Sequence, residues 1–380
     1  AGEGGLLRPV NVIVIMNESF SDLSVLGEVP VSEDFLPFFR SLSENTVRGT
    51  AYASVFGGTT ANSEYEFLTG NTTAFLPEGT VPFHLYVADG TPNLGAQMKD
   101  LGYDTVFLHP YLASGWNRRA VYADFGFDTV LFQDDLTDTS LIREYISDQS
   151  DYESLIRLYE EKEEGQPLFL FNVTMQNHSG YDKPWDGLER TAELTGVLAG
   201  RFPTVDQYLS LIKQSDNAFR YLIDYFSQVE EPTILVFWGD HYNPIDSNYD
   251  VFTSSGYASD SSADPRLHQT TLLMWSNYTD KPVDLGTIAA YDISPVMMNL
   301  YGLEQPLYFQ LLNRQLQVAD RANTRGTVMN LDGTTTQTPS SLQESWSQKH
   351  WLLQYDLMFG KGYALSRMGM ESLNSTQTDE

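Results

Sequence analysis

Residues 233–244 read TILVFWGDHYNP, an apolar run that stops at Gly239 and is followed at once by an acid and an imidazole, Asp240 and His241. NVIVIMNES at 11–19 breaks in the same way, with Glu18 after the apolar run. Two carboxylates and an imidazole are the oxygen and nitrogen donors that manganese, magnesium or zinc accept, and a chain without cysteine has such mixed sites as its available kind. Each group alone reads equally well as a cap or loop acid. A hydroxyl partner is offered by VFGGTTANSEYEFLTG at 55–70. There Gly57 and Gly58 allow a tight approach, and Thr59 and Thr60 precede a helical pattern. A helix N-terminus favours phosphate, and a metal would turn a threonine hydroxyl into the nucleophile that free threonine is not at neutral pH. The plainer use of such a threonine is as an N-cap.

More polar groups follow other apolar runs. His109 ends DTVFLH, and Trp116, Asn117 and Arg118 lie just beyond it; Asn177 and His178 follow PLFLFNVTMQ. Arginine can clamp phosphate oxygens in two places, and tryptophan can cover an alkyl or glycerol unit. Three of the six histidines, His109, His178 and His241, fall just past such runs, which favours a site over scattered structural roles. His84, His268 and His350 have no such setting and read as structural or surface residues.

The elements that must position these groups are short β-rich runs: NVIVIM at 11–16, DTVFLH at 104–109, PLFLFNVTM at 167–175, TILVFWGDH at 233–241 and TLLMWS at 271–276. Their nearly continuous apolar character predicts strands covered on both faces. Between them lie amphipathic helix patterns. Tyr152, Leu155, Ile156 and Tyr159 recur at helical spacing, as do Tyr208, Leu211, Ile212, Phe219, Leu222 and Phe226 within 205–226. The alternation predicts an α/β sandwich with its functional groups at the carboxyl ends of the strands. Ser294 and Pro295 in SPVMMNLYG read as a helix start. Residues 319–346 then become rich in Thr, Gln, Ser, Asn and Gly, which predicts a small C-terminal subdomain closing against the main one.

With 380 residues the chain can bury one large core plus an appendage. A formal charge of -29 argues against a nucleic-acid partner. The absence of cysteine excludes thiol nucleophiles, Cys-ligated zinc, iron-sulfur clusters and disulfides. No stretch approaches the roughly 18–20 apolar residues that span a bilayer. The opening AGEGGLLRP carries no signal peptide, and a membrane anchor upstream of it is expected.

Together these motifs resemble the extracellular catalytic domain of lipoteichoic acid synthase and related phosphoglycerol transferases of the sulfatase and alkaline phosphatase superfamily. The likeness covers roughly residues 8–305, and the tail QYDLMFGKGY is similar as well. It implies a central mixed, mostly parallel sheet flanked by helices (8–305), with a C-terminal α+β subdomain (306–380). The family's metal-binding glutamate after the first strand matches Glu18, its nucleophilic threonine before S-E-(aromatic) matches Thr60, and its G-D-H-Y motif matches Asp240 and His241. Substrate-holding roles carry over to His109, Trp116, Arg118 and His178. The chain departs from the family pattern at Tyr111 and at Asn243, Pro244 and Ile245, which bears on donor and acceptor choice and leaves the metal chemistry alone.

The resemblance implies one divalent cation, manganese first with magnesium or zinc as substitutes, held by Glu18, Thr60, Asp240 and His241. It implies attack of Thr60 on phosphatidylglycerol, a glycerophosphoryl-threonine, and transfer to a glycerol-phosphate polymer or glycolipid at the outer face of the bacterial cell membrane. Competing expectations are a phosphoethanolamine transferase, a sulfatase or phosphodiesterase of the same scaffold, or a non-catalytic glycerophosphate-binding domain. No C/S-x-P-x-R context surrounds Thr60, as sulfatases require, and the retained Glu18, Thr60, Asp240 and His241 weigh against a silent domain.

Overall fold

The structure is a computed structural model that describes residues 10–183, 185, 187–245, 250–255, 264–280, 282–318, 321–322, 328–330 and 334–367. Its frame is an eight-stranded sheet of β1 (Asn11–Asn17), β2 (Thr46–Tyr52), β3 (Asp104–His109), β4 (Thr129–Phe132), β5 (Leu168–Val173), β6 (Thr233–Gly239), β7 (Gln269–Ser276) and β8 (Val283–Ala289). The spatial order is β8-β2-β7-β6-β1-β5-β3-β4. All neighbours run parallel except β7, which is antiparallel to both β6 and β2.

Alternate residues of each central strand feed two separate cores. Ile13 and Ile15 of β1, with Leu235 and Phe237 of β6, face α3 (Asp148–Glu161) and α4 (Pro203–Phe226). Val12, Val14 and Met16, with Ile234, Val236 and Trp238, face α1 (Thr60–Thr69), α2 (Arg118–Asp124) and α5 (Ile293–Tyr301). Covering both faces is what makes these strands read as unbroken apolar runs. Each such side chain contributes about 1.5–3 kcal/mol on full burial, so the strand ends that carry the polar groups rest on a stiff frame.

All five runs identified in the sequence form strands, and both amphipathic patterns form helices, α3 and α4. β2, β4 and β8 have no counterpart in that reading. β4 and β8 are the two edges of the sheet; β4, TVLF, is apolar but only four residues long, and Asp284 and Gly286 break the run of β8. β2 is interrupted by Arg48 and Gly49. α5 starts at Ile293, one residue before the expected Ser294, and takes Pro295 into its first turn, where a missing N–H is harmless.

Beyond residue 305, α6 (Leu307–Val318) packs on α5, and α7 (Ser341–Met358) returns to the sheet domain. His350 Nε2 of α7 donates to Gly70 O at 3.1 Å, and the Gln354 amide makes two hydrogen bonds with the backbone of Thr72 at 2.8 and 2.9 Å. Between α6 and α7 a three-stranded antiparallel sheet pairs Arg321–Ala322, Val328–Met329 and Thr335–Thr336. Within the polar stretch 319–346, residues 319–320, 323–327 and 331–333 lie outside the described residues. Among the described residues no helix is long and apolar enough to cross a membrane.

Candidate active site

β1 and β6 are parallel neighbours with Asn17 opposite Gly239. The residues that follow, Glu18 and Asp240, therefore leave the sheet side by side at its carboxyl edge, where open α/β sheets place their ligands. Gly239 is dictated by this packing, because a Cβ there would overlap the carbonyl oxygen of Phe20. Ser19 turns the chain in the left-handed region, φ 52°, and points its N–H at Asp240 Oδ1 at 2.7 Å. The His241 N–H donates to the same oxygen at 2.8 Å. Asp240 Oδ2 is thus left buried without a hydrogen bond.

Of the four expected metal ligands, the two carboxylates and the imidazole converge. One donor atom from each of Glu18, Asp240 and His241 lies within 4.8 Å of the others, and all three residues are buried. His241 Nδ1 donates to Tyr242 O at 3.0 Å, which fixes the proton on that nitrogen and leaves the Nε2 lone pair facing inward. Nε2 is 3.1 Å from Asp240 Oδ2 and 4.0 Å from Glu18 Oε1. A lone pair and two carboxylates crowded together out of water repel one another. Burial first, and then the Glu18 charge, push the Asp240 carboxyl up. The orphaned Oδ2, the inward lone pair and the mixed oxygen and nitrogen donors all fit a divalent cation.

α1 brings the hydroxyl to this cluster. Thr59 takes the N-cap position with φ 64°, and its side chain makes no capping bond. Thr60, the first helical residue, is buried and sets Oγ1 3.4 Å from His241 Nε2. Three residues on, Ser63 Oγ donates to Asp240 O at 2.8 Å. One helical turn beyond Thr60, Glu64 faces the same way. It receives Arg118 through Nε at 3.0 and 3.1 Å and through Nη2 at 2.6 Å, and Tyr122 donates to its Oε2 at 2.7 Å. Against the cost of burial, Glu64 and the more distant Glu18 hold the Arg118 guanidinium charged.

Arg118 Nη1 also lies 3.1 Å from His109 Nε2, and His109 Nδ1 donates to Val173 O at 2.7 Å. His109 is therefore a neutral acceptor for the guanidinium, its pKa held well down by burial and by Arg118. His178, half-buried after β5, meets the Tyr145 hydroxyl through Nδ1 at 3.1 Å. Trp116, also half-buried and at φ 54°, stacks its ring on His84 at 5.7 Å. Glu18, Thr60, Asp240 and His241 thus gather in one cluster and Arg118 with His109 in a second, joined by α1. Trp116 and His178 make their contacts outside both.

Glu64 entered the sequence reading only as part of the S-E-(aromatic) motif, with no role of its own, although an acid one turn past Thr60 was the available signal. Ser19 and Asn243 also escaped it as supports. Ser19 Oγ donates to Glu18 Oε1 at 2.8 Å, and Asn243 Nδ2 donates to Ser19 Oγ at 3.2 Å. Asn243 therefore braces the glutamate from behind.

Among known proteins, residues 10–303 match the Sulfatase family. A Rhizobium meliloti protein named for cyclic beta-1,2-glucan modification is 31% identical, over 94% of this chain and 56% of its own length. The chain spans about half the length of the curated relatives it matches. The fold is shared with the Streptococcus pyogenes phosphoglycerol transferase GacH, solved in complex with sn-glycerol-1-phosphate (TM-score 0.78, 21% identity, 97% of this chain and 91% of that one). It is shared too with the lipoteichoic acid synthase LtaP from Listeria monocytogenes (TM-score 0.68, 19% identity, 94% and 92%). A mostly parallel sheet with a three-donor cluster at its carboxyl edge, matched along more than half its length, places this chain in the sulfatase family.

Proposed function

We propose that this protein is a metal-dependent phosphoglycerol transferase that moves glycerophosphate from phosphatidylglycerol to an acceptor hydroxyl. The observation that carries the reading is the Thr60 hydroxyl 3.4 Å from His241 Nε2, beside an Asp240 oxygen that has no donor. Glu18, Asp240 and His241 would hold the cation, manganese by preference, with Thr60 alongside. When bound, it supplies Lewis-acid polarisation and lowers the pKa of the Thr60 hydroxyl. Thr60 Oγ forms a bond to phosphorus as the bond from phosphorus to the diacylglycerol oxygen breaks, leaving a glycerophosphoryl-threonine. The hydroxyl proton of Thr60 passes to solvent, and the leaving alkoxide takes one from the His178 imidazole. Arg118 neutralises charge on the phosphoryl oxygens, and Trp116 covers the glycerol unit. The acceptor hydroxyl then bonds to phosphorus as the bond to Thr60 Oγ1 breaks; its proton returns to the His178 imidazole, and Thr60 regains one from solvent.

The glycerophosphate bound to the streptococcal structure supports this donor. The Rhizobium relative named for glucan modification adds a glycan hydroxyl to the acceptors, beside a glycerol-phosphate polymer or glycolipid. Acting on phosphatidylglycerol places the domain at the outer face of a bacterial cell membrane. On this reading the described residues beyond 305 form a subdomain that braces the turn after α1 through His350 and Gln354. Headgroup release from fluorescent phosphatidylglycerol, with and without manganese, tests the proposal. Manganese-dependent release by the wild type, lost in Thr60→Ala, is expected; equal release by the variant would remove Thr60 as nucleophile.

A further inference from the structure

A short hairpin beside the site carries an arginine in a conformation that suits glycine. Leu141–Ile142 pairs antiparallel with Tyr145–Ile146, Leu141 opposite Ile146 and Ile142 opposite Tyr145, so Arg143 and Glu144 form a two-residue turn. Arg143 has φ 59°. Turns of this kind take glycine or asparagine at a left-handed position, because a Cβ there is crowded.

The arginine is held by its other end. Nη2 donates to Gln176 O and to His178 O, both at 2.7 Å. The guanidinium lies over the rings of Tyr145 and Tyr181 at 5.3 and 5.4 Å. Two residues along the hairpin, the Tyr145 hydroxyl sits 3.1 Å from His178 Nδ1, with the two rings 5.5 Å apart. Burial pushes the Tyr145 phenol up to about 12, which keeps it neutral. Tyr111 bridges the rings of His109 and Tyr145, at 6.3 and 5.6 Å. One hairpin thus grips His178 by its carbonyl and by one ring nitrogen, which leaves Nε2 for a ligand.

We infer that the Leu141–Ile146 hairpin is a positioning element for His178, with Arg143 and Tyr145 fixing the imidazole so that Nε2 meets the transferred headgroup. The inference rests on the role given to His178 in the proposed transfer. A left-handed arginine is retained because its guanidinium, which glycine lacks, ties the hairpin to the loop after β5.

The test uses the full chain with manganese and short-chain phosphatidylglycerol. Arg143→Gly suits the turn but gives up two hydrogen bonds, so the fold should persist with a modestly lower melting temperature while kcat falls about 10-fold, as when the support of a reacting imidazole is removed. Tyr145→Phe should lower kcat by a similar factor. Neither change should cost anything further in a His178→Ala background, because residues acting through one group are non-additive. Wild-type kcat in Arg143→Gly and Tyr145→Phe, or full additivity with His178→Ala, overturns the inference. The ¹⁵N resonance of His178 Nδ1 gives a readout independent of turnover. It should move in Tyr145→Phe, and an unmoved resonance overturns the inference. A wild type with no turnover overturns the proposed function alone, and the resonance then decides the positioning role.

Discussion

Glu64 and Arg118 form a buried fork, three nitrogen-to-oxygen contacts of 2.6–3.1 Å between side chains that are 0% and 4% exposed. The glutamate sits one helical turn from Thr60, so a single helix sets both the hydroxyl and the guanidinium. Removing one partner leaves an uncompensated buried charge. Glu64→Ala is expected to cost about 3–5 kcal/mol in urea unfolding. Arg118→Lys should fail to restore activity, because an ammonium cannot occupy both carboxylate oxygens and His109 in the same fixed geometry. Measured kcat/KM for Arg118→Lys near wild type would refute the fork's role.

Adding manganese to the metal-free protein should raise its melting temperature, since a ligand at one hundred times its Kd adds about 2.7 kcal/mol to stability. Differential scanning fluorimetry should show no such rise for Asp240→Ala or His241→Ala. A chelator should reverse the wild-type shift.

Gly239→Ala drives a methyl into the Phe20 carbonyl. Overpacking of this kind costs about 1–3 kcal/mol, and here it also prises apart the two strand ends that carry Glu18 and Asp240. Manganese affinity by calorimetry is therefore expected to fall together with stability. A destabilised variant with unchanged affinity would show that the close approach serves only the fold.

Burial pushes Glu66 from its ordinary 4.5 up to about 7, against hydrogen bonds from Thr72 and Thr73. Its native form binds a proton more tightly than the unfolded chain does. Stability from this group is therefore lost as pH rises from 4.5 to about 7 and is constant above that. Glu66→Gln removes the loss. The unfolding free energy of the variant relative to wild type, from urea titrations, should improve between pH 4.5 and 8, by up to roughly 3 kcal/mol. A pH-independent difference between the two proteins would contradict this.

Much of the site was legible in the chain because its groups sit where apolar runs end. Glu18 after NVIVIM, His109 after DTVFL and Asp240–His241 after TILVFW are local breaks in a two-sided burial pattern, and burial is written residue by residue. Three strands were not legible. β4 is apolar but only four residues long, Asp284 and Gly286 break β8, and Arg48 and Gly49 interrupt β2, so none offers a long apolar run. Glu64 stayed hidden because an acid inside a helix reads as a solvent-facing residue until the helix is found buried on every side. Asn243 stood out only as a departure from the family pattern, and its hydrogen bond to Ser19 is invisible to spacing.

By itself the sequence determined the donor types, the absence of thiol chemistry, the strands that carry the donors and the helix that follows the glycine-rich turn. Those follow from composition and short-range periodicity. Only the tertiary structure decided that β1 lies beside β6 in a register that brings Glu18 to Asp240. It alone showed that His241 bonds through Nδ1 and so turns Nε2 inward, that Arg118 is shared between Glu64 and His109, and that Arg143 and Tyr145 hold His178. Strand pairing and side-chain partners join residues far apart in the chain, and which of them meet depends on the packing of the whole sheet and its helices rather than on any local pattern.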